Sequence, residues 1–309
     1  MIKPSPLKKG DTIGIVSPSF WMDEETLEKV HQLFKTKGYQ LEFGASNYLK
    51  SGPFAGTPQE RANDINDMFA NPDIDAIICA RGGYGANRVL PLINYDQIKV
   101  NPKIFMGYSD ITAILISITQ RTDLVTFHGP MLTTYKNGMV DYNFELMEKT
   151  LSGNEYVNIQ PPSNLPSRVL KPGVAEGSLW GGNICLLANR LGTNEQLNTN
   201  GVILFLEDID EYLYSFDRMM VHMRKAGIFE NIKGLIIGEL INMKDQKISF
   251  GKSTDEIVMD VCGDLDIPII ANFPCGHGKY QATLPISIPV KLDTKANSPS
   301  LTLLESSVL

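Results

Sequence analysis

Phe105-Met-Gly-Tyr-Ser-Asp-Ile-Thr112 decides how this chain is read, because it has the pattern of a strand that ends abruptly at a serine and turns into a helix. Lys103-Ile-Phe-Met-Gly107 is a short apolar run suited to a buried strand, and Asp110 to Ile118 is an apolar helix opened by an acidic residue. Ser109 is at the corner. A serine held on such a turn projects its hydroxyl above the sheet, and the helix behind it aims its first N–H groups at any negative charge that forms there. That is the geometry of an acyl-transfer nucleophile. The Gly-x-Ser-x-Gly pattern is incomplete, since Ile111 occupies the second glycine position, and a serine that N-caps a helix accounts for the same residues.

Working outward, the same alternation recurs. Asp11 to Pro18 has the pattern of a first strand. Asp23 to Lys37 is an amphipathic helix with Leu27, Val30 and Phe34 on one stripe, stopped by Gly38. Tyr39 to Phe43 is a second strand, Thr57-Pro-Gln-Glu60 is a capping box that opens a helix to about Ala70, and Asp75 to Ala80 is a third strand. Continuous apolar runs, including Leu124 to Phe127 as a fifth strand, fit strands covered on both faces, as parallel sheets are. Residues 1–150 therefore form one βα domain carrying the nucleophile. Residues 151–173, rich in Pro, Asn and Ser, form a linker, and 174–309 form a second domain. In that domain a helix is expected over Gly181–Leu191, strands over Gly201–Leu206, Gly234–Gly238 and Pro268–Phe273, a helix over Ser215–Ala226, and a helix capped by Ser253-Thr-Asp-Glu256. Ile286 to Leu292 and Ser300 to Leu304 alternate apolar and polar, as two antiparallel strands would.

Composition narrows the partners. The 309 residues are 43% hydrophobic and carry a formal net charge of -7, so the clustered Lys and Arg that bind phosphate backbones are missing and nucleic acid is not expected. The first ten residues lack the apolar core of a signal peptide and no window is long and apolar enough for a membrane helix, so a cytoplasmic protein is expected. Cys79, Cys185, Cys262 and Cys275 are far apart and suggest reduced thiols rather than a disulfide framework.

A serine nucleophile needs a base, and there are four histidines to choose from. His31 and His222 sit on helices beside apolar residues and suit structural roles. His128 follows the fifth strand and could line the site. His277 lies in Phe273-Pro-Cys-Gly-His-Gly278, directly after a strand and flanked by glycines that permit a sharp turn, and is the preferred base. Its imidazole needs a buried acceptor; Glu207, at the end of Val202-Ile-Leu-Phe-Leu-Glu207, fits that role, while Glu207, Asp208, Asp210 and Glu211 as a solvated acidic loop fit the sequence equally. Arg81-Gly-Gly-Tyr-Gly-Ala-Asn-Arg88 lacks dinucleotide-loop spacing, which excludes a Rossmann cofactor, and Gly251-Lys-Ser253 is not a phosphate loop because position 246 is Gln. Gly82 and Gly83 can instead bring backbone N–H groups to a reacting carbonyl, so that Gly83 and the N–H of Asp110 form an oxyanion hole, although a plain glycine turn also explains them. No histidine pair lies at metal-ligand spacing, and no cofactor or metal is expected.

Taken in order, Arg81-Gly-Gly-Tyr-Gly85, Gly107-Tyr-Ser-Asp-Ile-Thr112, Trp180-Gly-Gly-Asn183, Leu204-Phe-Leu-Glu-Asp208 and Phe273-Pro-Cys-Gly-His-Gly278 resemble the LD-carboxypeptidase family of serine peptidases across nearly the whole chain. The resemblance implies an α/β protein with a Rossmann-like parallel-sheet N-terminal domain and a smaller β-rich C-terminal domain, and a Ser109, Glu207, His277 triad. It also implies a cytoplasmic homodimer of peptidoglycan recycling that removes terminal D-alanine from murein tetrapeptides by cutting an L-to-D bond. Arg81 is then a candidate for pairing with the free terminal carboxylate of the substrate. A second branch of the family inactivates peptide-nucleotide antibiotics with an aromatic residue near the Gly-Gly-Asn motif, which Trp180 matches, but the run Glu207 to Met219 is more similar to the carboxypeptidase branch. Outside the family, a Cys275–His277 thiol hydrolase and a non-enzymatic peptide or sugar binding module are the rival readings.

Overall fold

Buried β-branched runs and capped amphipathic helices alternate through the first half of the chain, and in the computed structural model, which describes residues 1–153, 156–296 and 298–309, they build a βα unit. Its strands are β1 (Thr12–Val16), β2 (Gln40–Phe43), β3 (Ala76–Cys79), β4 (Ile104–Gly107) and β5 (Phe127–His128); helices α1 (Glu24–Thr36), α2 (Pro58–Ala70), α3 (Tyr95–Val100), α4 (Thr112–Thr122) and α5 (Asp141–Leu151) intervene or follow. The capping box is formed as expected: Thr57 accepts from the Glu60 N–H, Glu60 reaches back to Thr57, and Pro58 opens the helix. Leu27, Val30 and Phe34 of α1 are the buried stripe.

The chain divides into two units. Unit 1 comprises Met1–Asn154, Ala282–Ser287 and Ser306–Leu309; unit 2 comprises Glu155–Gln281 and Ile288–Glu305. In unit 1 the strand order is β12-β5-β4-β3-β1-β2, where β12 (Leu284–Pro285) is antiparallel to β5 and the rest are parallel. The chain reverses direction of winding between β1 and β3, the position at which open α/β sheets gather functional loops outside the carboxyl ends of their strands. The loops after β1, β3 and β4 leave that edge. The fifth strand lies later than the apolar run Leu124–Phe127 suggests, because Leu124 forms a parallel bridge with Ile2 instead.

Unit 2 is built on an eight-stranded mixed sheet in the order β6-β14-β13-β8-β9-β10-β11-β7. Its elements are β6 (Asn158–Ile159), β7 (Arg168–Lys171), β8 (Val174–Asn183), α6 (Ile184–Asn189), β9 (Val202–Ile209), α7 (Leu213–Lys225), β10 (Gly234–Ile241), α8 (Thr254–Cys262), β11 (Ile269–Gly276), β13 (Pro289–Asp293) and β14 (Ser300–Leu303). The four central strands β8 to β11 are parallel; β7 pairs antiparallel with β11, and on the other side β13, β14 and β6 each pair antiparallel with the strand before them in the sheet. The tail alternation is thus two antiparallel strands, as expected.

The sequence reading needs correction in three places. Residues 151–173, expected as a linker, carry β6 and β7, short strands whose pairing partners are distant in sequence; Asn154 and Glu155 of that stretch lie outside the described residues. Gly181 to Asn183, expected in a helix, end β8: a Cβ on Gly181 would fall 1.8 Å from the Phe205 carbonyl oxygen, so close strand pairing rather than helix formation selects the glycine. Glu207 lies inside β9, which continues to Ile209, rather than at its end.

Candidate functional site

Ser109 follows β4 in unit 1. Its φ is 64°, in the left-handed region that a serine enters at a cost of about 1 kcal/mol. The residue opens a single 3₁₀ turn, Ser109–Ile111, before α4 begins at Thr112, and neither the turn nor the helix has a side-chain cap. The N-capping explanation of Ser109 is therefore overturned, and Asp110 precedes the α-helix instead of opening it. The turn folds back tightly: a Cβ on Gly107 would sit 2.8 Å from the Ile111 side chain.

The glycine loop after β3 packs onto this corner. A Cβ on Gly82 would lie 2.9 Å from the Ser109 Cβ and 3.5 Å from the Asp110 amide nitrogen, and one on Gly83, whose φ is 127°, would overlap the Phe20 ring. Only glycines let the backbone of 82–83 lie there. The Asp110 carboxylate, 3% exposed, joins three loops: it accepts from Ser19 Oγ at 2.6 Å, after β1, and from the Ala86 N–H at 2.8 Å, after β3. Burial raises its pKa, against the Ser19 and Ala86 hydrogen bonds and the Arg61 charge. Arg61 of α2, itself buried, donates to the carbonyls of Pro18 and Gly85 in the same two loops. Sequence reading missed Ser19 and Arg61. The arginine sits in a helix opened by a capping box, where a charged residue is expected to face solvent, and no local signal marks it as buried.

Arg81 is half-buried; its guanidinium donates to the Trp21 carbonyl at 3.2 Å and lies 5.7 Å from the Phe20 ring centre. His128 is a correction. At 1% exposure it cannot line an open site, and it packs edge-on against Tyr108, the residue before Ser109.

In unit 2, the carboxyl ends of β8 to β11 gather Asn183, Glu207, Asp208 and His277. Glu207 is fully buried and its Oε2 lies 2.7 Å from His277 Nδ1. Gly276, at φ 108°, makes the pairing possible, because a Cβ there would fall 2.6 Å from Glu207 Oε2. Burial disfavours the charged imidazole, but the charge and hydrogen bond of Glu207, with the charges of Asp208 and Asp210, outweigh it and hold His277 above its ordinary value. With Nδ1–H given to Glu207, Nε2 carries the lone pair that a base needs.

Asp208 is buried beside Glu207, which disposes of the solvated acidic loop for these two residues. It accepts from Asn183 Nδ2 at 2.9 Å and from the Cys185 N–H at 3.2 Å, and burial, then the neighbouring Glu207 charge, push its carboxyl up to about 7. Asn183 also caps α6 through the Leu186 N–H, so this one side chain fixes the Gly-Gly-Asn turn to β9. Trp180, half-buried on β8, stands in register with Leu204. Cys275 is fully buried, and burial together with the Glu207 and Glu239 charges raises its thiol well above the usual range. It cannot supply a thiolate, so the Cys275–His277 hydrolase is excluded. Among the described residues no helix is long and apolar enough to cross a membrane.

Residues 13–129 match the model of the LD-carboxypeptidase N-terminal domain and residues 176–292 that of its C-terminal domain. The chain is 34% identical over 299 residues to the probable murein peptide carboxypeptidase of Bacillus subtilis (strain 168), covering 94% of this chain and 92% of that protein. It is 29% identical over 332 residues to the microcin C7 self-immunity protein MccF of Escherichia coli, covering 96% of this chain and 95% of that protein. Among solved structures, MccF in complex with glutamyl sulfamoyl guanosine superposes with a TM-score of 0.92 at 26% identity, over 99% of each chain. The muramoyltetrapeptide carboxypeptidase from Oxalobacter formigenes superposes with a TM-score of 0.84 at 27% identity, over 94% of this chain and 98% of that one.

Proposed function

The chain belongs to the LD-carboxypeptidase family, a serine-type carboxypeptidase and so a hydrolase, and on that premise we propose that it releases terminal D-alanine from murein tetrapeptides in peptidoglycan recycling. His277 takes the proton of Ser109 as the hydroxyl attacks the carbonyl on the L side of the scissile bond, while Glu207 holds the ring and stabilises its charge. The N–H groups of Gly83 and Asp110 receive the oxyanion, each such donor being typically worth about 3 kcal/mol. His277 then protonates the departing amine of D-alanine, and a water hydrolyses the acyl-serine by the same steps reversed. Arg81 pairs with the terminal carboxylate, beside Gly82. The enzyme works as a cytoplasmic homodimer.

The observation that carries this reading is the buried Glu207–His277 pair, with room made for it by Gly276. A passive binding module has no use for a carboxylate and imidazole held in this way. The immunity activity is the second reading, favoured by the half-buried Trp180 beside the Gly-Gly-Asn turn and by the MccF relatives. The deciding assay is release of free D-alanine from a murein tetrapeptide by the wild type and by Ser109→Ala. Release by the wild type alone supports the proposal. No release from the peptide, with cleavage of an aminoacyl sulfamoyl nucleoside, transfers the chain to the immunity activity, and equal release by both proteins removes Ser109 as the nucleophile.

A further inference from the structure

Glu239 ends up beside the catalytic histidine without a task in the mechanism above. It stands near the carboxyl end of β10 in register with Gly276 of β11, one strand over from His277. The side chain is 6% exposed, and its Oε2 has no hydrogen-bond partner among the described residues. A buried carboxyl left in that state is expensive unless it is protonated or meets a charge.

The glycines around His277 show where this carboxyl lies. A Cβ on Gly278 would fall 1.8 Å from Glu239 Oε2 and 2.2 Å from its Oε1, just as a Cβ on Gly276 would fall 2.6 Å from Glu207 Oε2. His277 is thus bracketed by two glycines, each leaving room for a carboxyl group from a different strand. Glu207, from β9, bonds the ring; Glu239, from β10, lies against the backbone that follows it. We propose that Glu239 is a positioning residue for His277, holding the 276–278 turn from beneath Gly278 and, when ionised, supplying a further negative charge that favours the imidazolium.

The charged and titratable groups around it are Glu207 and Asp208 of β9, with Asp210 beyond that strand, and Cys275, His277 and Lys279 on β11 and the turn after it; β10 contributes no other. Burial pushes the Glu239 carboxyl up to about 7. It is therefore neutral in mild acid and gains its charge as the pH rises through that range. Its charge, once present against the 276–278 turn, adds to those that favour the imidazolium, so the pH at which the ring gives up its proton depends on this carboxyl.

The kinetic consequence rests on His277 being the base, but the titration itself does not. Ring resonances of the histidines are followed by NMR from mild acid to mild alkali in the wild type and in Glu239→Gln, with His277 assigned from a His277→Gln spectrum. The expected result is a His277 curve in Glu239→Gln with its midpoint lower by about half a pH unit or more, and the same displacement of the acid limb of kcat/KM for D-alanine release. Superimposable His277 curves overturn the proposal. A second test reads the contact directly: Gly278→Ala drives a methyl group into the carboxyl, and Glu239→Ala in the same chain makes room for it. The double variant is expected to exceed Gly278→Ala in activity by about tenfold or more, and a double variant no better than the single one overturns the contact. Absence of D-alanine release by the wild type would sink the proposed function while leaving the NMR outcome decisive for Glu239.

Discussion

Gly82 and Ser109 stand so close that no further carbon fits between them: a Cβ on Gly82 would lie 2.9 Å from the Ser109 Cβ and 3.1 Å from its Oγ. Gly82→Ala must therefore push Ser109, the proposed nucleophile, or the glycine loop aside. We expect D-alanine release to fall by about a hundredfold or more, since displacement of reacting groups by a fraction of an ångström is costly, with the far-UV circular dichroism of the wild type retained. Wild-type activity in this variant would mean that the loop is free to move away.

On the proposed mechanism the Glu207–His277 pair sets the pH dependence. His277 is held above its ordinary value, so kcat/KM should rise with pH through a midpoint above about 6.5 as the imidazolium loses its proton. Glu207→Gln removes the charge that raises the midpoint and leaves the burial that lowers it, so the acid limb should move to lower pH. The plateau should drop by about 10³-fold or more because the ring is no longer held in one tautomer. An acid limb that stays in place would separate Glu207 from the titrating group.

Arg61 bears on stability as well as on the site. Its guanidinium serves the carbonyls of Pro18 and Gly85 and offsets the buried Asp110 carboxylate. Arg61→Met fills similar volume but leaves those groups uncompensated, and should lower unfolding stability by about 3 kcal/mol or more in urea titrations. A loss below about 1 kcal/mol would show that water takes over the role.

The thiols offer a rapid check of the excluded chemistry. Cys185 is exposed, whereas Cys79, Cys262 and Cys275 are buried. A thiol reagent should label Cys185 quickly in the native protein and the other three only on unfolding. Cys275→Ala should keep the pH profile and most of the rate of the wild type; a dead, folded Cys275→Ala would reopen the thiol reading.

The features legible in the sequence were those with local causes. The capping boxes at Thr57 and Ser253 and the stripe of α1 follow from hydrogen bonding and periodicity within a few residues, and they are present as expected. His277 is legible as the histidine that directly follows a strand between two glycines, whereas for Glu207 the sequence leaves a triad acceptor and a solvated acidic loop equally open, and the structure buries it against His277. What could not be read depends on distant partners. The sequence points to the backbone N–H of Asp110, yet its carboxylate is what joins Ser19 to Ala86, two residues whose proximity exists only after β1 and β3 pair. Gly181 looked like the start of a helix because nothing nearby announces the Phe205 carbonyl against which it packs. His128 looked available because a strand exit is usually open, and the packing of Tyr108 against it leaves no trace of periodicity in the chain.

The left-handed backbone at Ser109 has a consequence for how such an enzyme persists. An L-residue with a Cβ is disfavoured at that φ by about 1 kcal/mol, whereas glycine is not. On the proposed mechanism Ser109→Gly removes the nucleophile as fully as Ser109→Ala does and also relieves the left-handed backbone, so the glycine variant should melt at a higher temperature than Ser109→Ala. Selection for a sturdy fold alone would drift toward losing this serine. On the proposed role of Ser109, the serine is kept at this corner for turnover and at the expense of stability.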